Sequence, residues 1–321
     1  MEKILFSLIT VFAGLTAGYV ITLFFPSCSF GSDKNVRIRK ILQKGALLYL
    51  NPVAFVGSIW ILDLRHLQLL SMPLMGILAI SSGGAAALLI SKVLKFNRSE
   101  KGSFFCCGAF TNIGSIGALV CYSFLGEAGF ALVPLYKIFE EFLYYSTGFP
   151  IAKSFSISDS DKAGGKKSIF KDPFVLVAVF SILTGFILNF SGIRRPDFFG
   201  VLNSLLIPLA AFLLLVSIGM ALQFRKMKNH VSKALILLPL KHLIIPSLTF
   251  SAAFAAGLGS IDNALPLKVV LILSAMPVGF TALIPPALYD LDIDLANTCW
   301  IVSTSFMVVT VPLLMFLISL F

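Results

Sequence analysis

Two short stretches place ligand-binding residue types inside apolar sequence. The first is Phe110-Thr111-Asn112-Ile113-Gly114-Ser115-Ile116-Gly117, and the second is Ala275-Met276-Pro277-Val278-Gly279-Phe280-Thr281. At a constant offset Asn112 falls on Pro277 and Gly114 on Gly279. Each stretch ends one half-helix and starts another, so each new N-terminus offers free N–H groups and about half a positive charge. Such ends suit a carboxylate or a phosphate. Gly114, Gly117 and Gly279 let backbone approach a ligand closely, and Pro277 removes a donor that a broken turn cannot satisfy. The candidate ligand-binding residues are therefore Asn112, Ile113, Gly114, Ser115, Gly117, Pro277, Val278, Gly279, Phe280 and Thr281. The competing reading is that Gly and Pro only kink helices that pack tightly.

A third stretch, Tyr136-Lys137-Ile138-Phe139-Glu140-Glu141, puts three charges at membrane depth, where each costs about 2.5–3.5 kcal/mol on insertion scales. Lys137 reaches both acids on one helix face, and adjacent carboxylates resist double ionisation in a dry site. Tyr136, Lys137, Glu140 and Glu141 read either as a proton or cation site or as a counter-ion cluster that neutralises Lys137, Lys241 and the half-helix N-termini. Lys241, followed by His242, either pairs with these acids or snorkels towards headgroups. Asn51 and Asn297 are polar groups in apolar runs, open to helix–helix hydrogen bonding or to ligand contact; Asn51 joins the candidate binding set.

These residues sit in a chain of 321 residues that is 58% hydrophobic and only 12% charged, against roughly 25% charged in soluble domains. The class is an all-α polytopic membrane protein. The net charge of +10 does not imply nucleic acid, because the basic residues lie mostly in short loops and form no stripe with interleaved aromatics. The first run, Ile4–Phe25, lacks a basic n-region and a cleavage site, and reads as a retained helix. Five scattered cysteines and three unclustered histidines give neither a disulfide framework nor a metal site. No cofactor is implied. No Ser/His/Asp set or phosphate loop is present, so enzymatic function is not expected.

Spans of about 20 apolar residues read at 4–25, 45–62, 69–90, 102–125 and 128–152, and again at 173–190, 198–224, 234–257, 269–289 and 293–321. This gives two five-helix repeats, 1–153 and 173–321, around the linker 154–172. Lys and Arg gather in the odd-numbered connections, among them Lys34, Arg37, Lys95, Arg98, Lys166 and Lys228, whereas Lys3, Arg65, Arg194, Arg195 and Lys268 lie on the other side. The positive-inside rule then puts both termini outside and the linker in the cytoplasm. An odd number of helices per half inverts the second repeat against the first. Ten helices as inverted repeats, with broken helices 4 and 9 crossing, place the binding site of a secondary transporter at the breaks.

The residues also resemble a known family. Asn112-Ile113-Gly114-Ser115-Ile116-Gly117, then Gly126-Glu127-Ala128-Gly129 and Leu135-Tyr136, are similar to the helix 4–5 signature of the auxin efflux carrier family. Ala275-Met276-Pro277, Tyr289, Leu295-Ala296, Ser303-Thr304 and Val311-Pro312-Leu313 are similar to its last two helices. The chain departs from the family pattern at Leu119, where proline is usual, and at Lys137, Glu140 and Glu141. The resemblance implies the fold of bile-acid symporters and crossed-helix sodium/proton antiporters. Helices 1, 2, 6 and 7 would form a dimeric scaffold, and helices 3–5 and 8–10 a moving transport domain. It implies an organic-anion substrate carried by elevator-type alternating access. The charges of helix 5 would supply any coupling to H+ or Na+, and the expected location is the cell (inner) membrane. The alternatives are a cation/proton antiporter using Glu140 and Glu141, and a receptor that kept the fold without transport.

Overall fold

The computed structural model describes residues 2–25, 28–29, 31–63, 65–156, 173–222 and 227–320. Most of the linker read at 154–172, and the basic Arg225 and Lys226, lie outside the described residues. Among the described residues every regular element is a helix, and the sole β feature is a single antiparallel bridge between Thr111 and Val278. Among the described residues, five helices are long and apolar enough to cross a membrane: Glu2–Phe24, Leu67–Val93, Ile113–Lys153, Phe198–Gly219 and Val231–Ala255. The pair Ile293–Ser305 and Met307–Ile318, bent by 45°, makes a sixth. The other apolar runs appear as shorter or interrupted helices, such as Asn51–Trp60, Pro173–Phe190, Arg98–Ala109 and Leu265–Ser274.

The interruptions have a local cause. Three π-turns, Gly45–Leu50, Tyr144–Gly148 and Leu240–Ile244, each stop two residues before a proline: Pro52, Pro150 and Pro246. Proline lacks an N–H and its ring crowds the carbonyl one turn back, so the preceding turn widens instead of closing an ordinary α-helical bond.

The chain forms two compact units. The first comprises Met1–Arg65, Gly114–Pro134 and Phe170–Leu222. Here helix Glu2–Phe24 crosses helix Phe198–Gly219 at bare backbone. A Cβ on Gly18 would lie 2.1 Å from Val216 O, and one on Gly219 would lie 2.1 Å from Leu15 O. Small residues four apart, Gly14 and Gly18, permit this approach where lipid supplies no hydrophobic drive for helix association. Asn189 Nδ2 donates to the carbonyls of Ile59, Trp60 and Leu62, finishing helix Asn51–Trp60.

The helix Ala118–Lys137 turns sharply at Gly126, whose φ of 70° favours glycine. The turn delivers Glu127 to a buried polar node. Its carboxylate accepts from Arg195 Nη1, from Asn203 Nδ2 and, at 3.4 Å, from Ser58 Oγ, while Arg195 also donates to Gly57 O at 2.9 Å. Arg195 and Glu127 are 12% and 17% exposed. Removing one partner of such a pair leaves a partly buried charge uncompensated. Arg195→Ala is therefore expected to lower stability by about 2 kcal/mol, below the 3–5 kcal/mol of a fully buried pair. Arg195→Lys, which lacks the planar fork, should recover only part of that in a detergent melt.

The second unit comprises His66–Ile113, Leu135–Ile169 and Gln223–Phe321. Its helix Met72–Val93 lies against Arg98–Ala109, again through glycine: a Cβ on Gly83 would meet Gly108 O at 2.4 Å. The Asn97 side chain caps the start of the second helix, and Glu100 closes the capping box.

Candidate functional site

The helix Arg98–Ala109 stops at Phe110, which is extended at φ −92°, ψ 128°. Its counterpart Leu265–Ser274 stops before Pro277. The two extended segments lie antiparallel in the second unit. Asn112 N–H donates to Pro277 O at 2.9 Å and Gly279 N–H to Phe110 O at 3.0 Å. Gly279 is required for this approach, since a Cβ there would stand 2.8 Å from Thr111 O. Two further amides at the joint are satisfied by side chains. Val278 N–H donates to Ser303 Oγ at 3.2 Å and Thr111 N–H to Tyr144 Oη at 3.1 Å. Non-helical backbone in an apolar unit persists because protein groups take up its donors. These four amides are thus occupied within the protein.

The opposite helix ends carry exposed carbonyls and partial negative charge. One dipeptide answers both. Lys241 and His242 sit in the π-turn Leu240–Ile244, which directs consecutive side chains to different partners. Lys241 Nζ donates to Thr111 Oγ1 at 2.6 Å and to Gly108 O and Phe110 O at 3.3 and 3.4 Å. His242 Nδ1 lies 3.1 Å from Ala275 O and 3.1 Å from Thr310 Oγ1. A proton on Nδ1 satisfies both contacts, because Thr310 can donate its own proton to Phe306 O. Lys241 is fully buried. A hydroxyl and two carbonyls take the place of the carboxylate or headgroup partner expected from sequence.

The acidic stretch joins the same node. Glu140 is buried, with Lys137 Nζ 3.1 Å from Oε2. Tyr144 Oη donates to its Oε1 at 2.9 Å, and the ring stacks on Phe110 with centroids 4.0 Å apart. A continuous polar path therefore runs Lys137–Glu140–Tyr144–Thr111–Lys241. Glu141 is half-buried, and Tyr136 is buried with its carbonyl over Gly76.

Of the residues proposed from sequence, the second unit brings together Asn112, Ile113, Pro277, Val278, Gly279, Phe280, Thr281, Tyr136, Lys137, Glu140, Glu141 and Lys241. Gly114, Ser115, Gly117 and Asn51 belong to the first unit, where Ser115 and Asn51 are buried. Thr111, Tyr144, Ser303 and Thr310 entered neither candidate set; Tyr144 is signalled only by its spacing one helical turn after Glu140. His230, read as isolated, has its ring nitrogen within 4.8 Å of oxygens of Glu100 and Asp292. Lys233 holds Glu100 Oε1 at 2.5 Å and supplies positive charge there.

No family model matches this chain. Two curated relatives do. A protein of Methanothermobacter thermautotrophicus named as an uncharacterized transporter is 23% identical over 267 residues, covering 82% of this chain and 83% of its own. An uncharacterized transporter of Methanocaldococcus jannaschii is 24% identical over 255 residues, 77% of this chain and 78% of its own. Both alignments run across most of each chain, so the likeness extends beyond a shared apolar composition in one or two helices.

Proposed function

We propose that this chain is a secondary transporter of small organic carboxylates, with ten spans arranged as two inverted five-helix repeats and elevator-type alternating access in a homodimer. The observation that carries the reading is the treatment of the helix ends at the crossing. Lys241 and His242 answer the two C-terminal ends, which offsets their negative dipoles and shifts the balance at the crossing towards positive. A crossing so biased favours an anion. Asn112 and Thr281 supply side-chain donors beside it. The transporter names of both relatives agree with this class; the substrate and the elevator motion are inferred from the crossing and from the resemblance to auxin efflux carriers.

The test is a thermal-shift screen of purified protein against a panel of carboxylates, sodium chloride and pH, followed by uptake into proteoliposomes. A ligand at a hundredfold excess over Kd stabilises by about 2.7 kcal/mol. At least one carboxylate should raise Tm by a few degrees, and Asn112→Ala should remove the shift without unfolding the protein. A second reading, exchange of cations for protons at Glu140 and Glu141, draws on the burial of the Glu140 carboxylate beside Lys137. That reading prevails if sodium and pH gradients drive ion exchange while no carboxylate binds or moves.

A further inference from the structure

Tyr144 has one hydroxyl proton and two neighbours that constrain it. It donates to Glu140 Oε1 at 2.9 Å and accepts from the Thr111 amide at 3.1 Å. The other carboxylate oxygen, Oε2, faces the Lys137 ammonium at 3.1 Å, a group that can only donate. A proton arriving on Glu140 therefore goes to Oε1. That oxygen then becomes a donor, and the Tyr144 proton loses its acceptor. Turning the hydroxyl to resolve the conflict takes the acceptor away from Thr111 N–H, a buried amide at the joint of the two breaks. Thr111 also holds Lys241 through its hydroxyl.

We propose that Tyr144 is a positioning residue that couples the ionisation of Glu140 to the backbone of the crossing: ionised Glu140 locks Thr111, and neutral Glu140 releases it. The charged and titratable groups facing Glu140 are Lys137, Glu141 and Tyr144 on its own broken helix and Lys241 from the π-turn Leu240–Ile244. The helix Met72–Val93, which packs on this turn, has no ionisable residue before Lys92. In the transporter reading, on which this inference rests, the device lets one proton loosen the ligand site. Its test needs no substrate, so its failure is separable from failure of the transport assay.

The experiment is amide hydrogen exchange of the purified protein in detergent, followed at peptides covering Phe110–Asn112 and expressed as protection, which removes the intrinsic pH dependence. Glu140→Gln mimics the protonated acid, because its amide oxygen faces Lys137 and its NH2 faces Tyr144. Wild-type protein should lose protection at Thr111 by about fivefold to tenfold on acidification, as expected for one net hydrogen bond. Glu140→Gln should show the low protection at every pH, and Tyr144→Phe, which keeps the ring on Phe110, should show low protection without pH dependence. Protection in the wild type that ignores pH, and matches that of Glu140→Gln, overturns the proposal. The wild-type and Glu140→Gln comparison decides the matter even if Tyr144→Phe does not fold.

Discussion

Lys241→Met is expected, on the proposed carboxylate transport, to cut uptake about tenfold to a hundredfold while changing stability by no more than about 2 kcal/mol. Two opposing costs produce the small stability change. The substitution strips the hydrogen bonds from Gly108 O and Thr111 Oγ1 and leaves Phe110 O with its bond from Gly279 N–H, at about 1–3 kcal/mol for each group left unsatisfied. It also spares the protein the burial of an ammonium, several kcal/mol even after relaxation. Methionine fills nearly the same volume, so no large cavity adds to the sum. On that proposal transport has no such offset, because the end of Arg98–Ala109 would become negative again and weaken the field that favours an anion. Paired melts and uptake rates normalised to folded protein check this. A large fall in Tm with unaltered uptake per folded molecule would make Lys241 a purely structural cation.

Gly279→Ala is the smallest substitution with a comparably large effect. Its backbone has φ −70°, which alanine adopts freely, so conformational strain is not the cause. The added carbon would stand 2.8 Å from Thr111 O and 3.0 Å from Thr111 C, both backbone atoms that cannot swing aside. The segments must part, and the bonds Gly279 N–H to Phe110 O and Asn112 N–H to Pro277 O lengthen together. Opening both pairs fully would leave four buried groups unsatisfied at about 1–3 kcal/mol each, so stretching them costs several kcal/mol. Near-complete loss of uptake with a clear drop in Tm is the expected outcome. Wild-type uptake in this variant would mean that the joint is not held during transport.

Much of this site was visible in the sequence, for a physical reason. Asn112, Gly114, Pro277 and Gly279 stand out because a membrane span tolerates such residues only where its backbone is otherwise satisfied. The structure joins those same two interruptions. Lys241 and Glu140 stand out because buried charge is rare. Less legible was the bonding of each group. Sequence spacing shows that Lys137 reaches Glu140, but the π-turns that send Lys241 to carbonyls, and Tyr144 to both Glu140 and Thr111, depend on how Pro246 and Pro150 widen the preceding turn. Amides counted from sequence as available for a ligand are used by the joint itself, which only the antiparallel pairing of Thr111 with Val278 reveals. Thr310 carries no distinguishing signal, since hydroxyls in apolar helices commonly bond their own backbone, and Ser303 is marked only by the Ser303-Thr304 motif of the resemblance.

The bridge between Thr111 and Val278 also has a consequence for how the protein is made. The two segments it joins emerge from the ribosome on the order of ten to thirty seconds apart at synthesis rates of about 5–20 residues/s. Throughout that interval Asn112 N–H and Phe110 O lack the groups that will satisfy them. Until then those groups must be satisfied by water, by local helical bonding or by other protein. The joint is completed only once the segment around Pro277 is made, and a nonsense mutation before Pro277 removes one side of it.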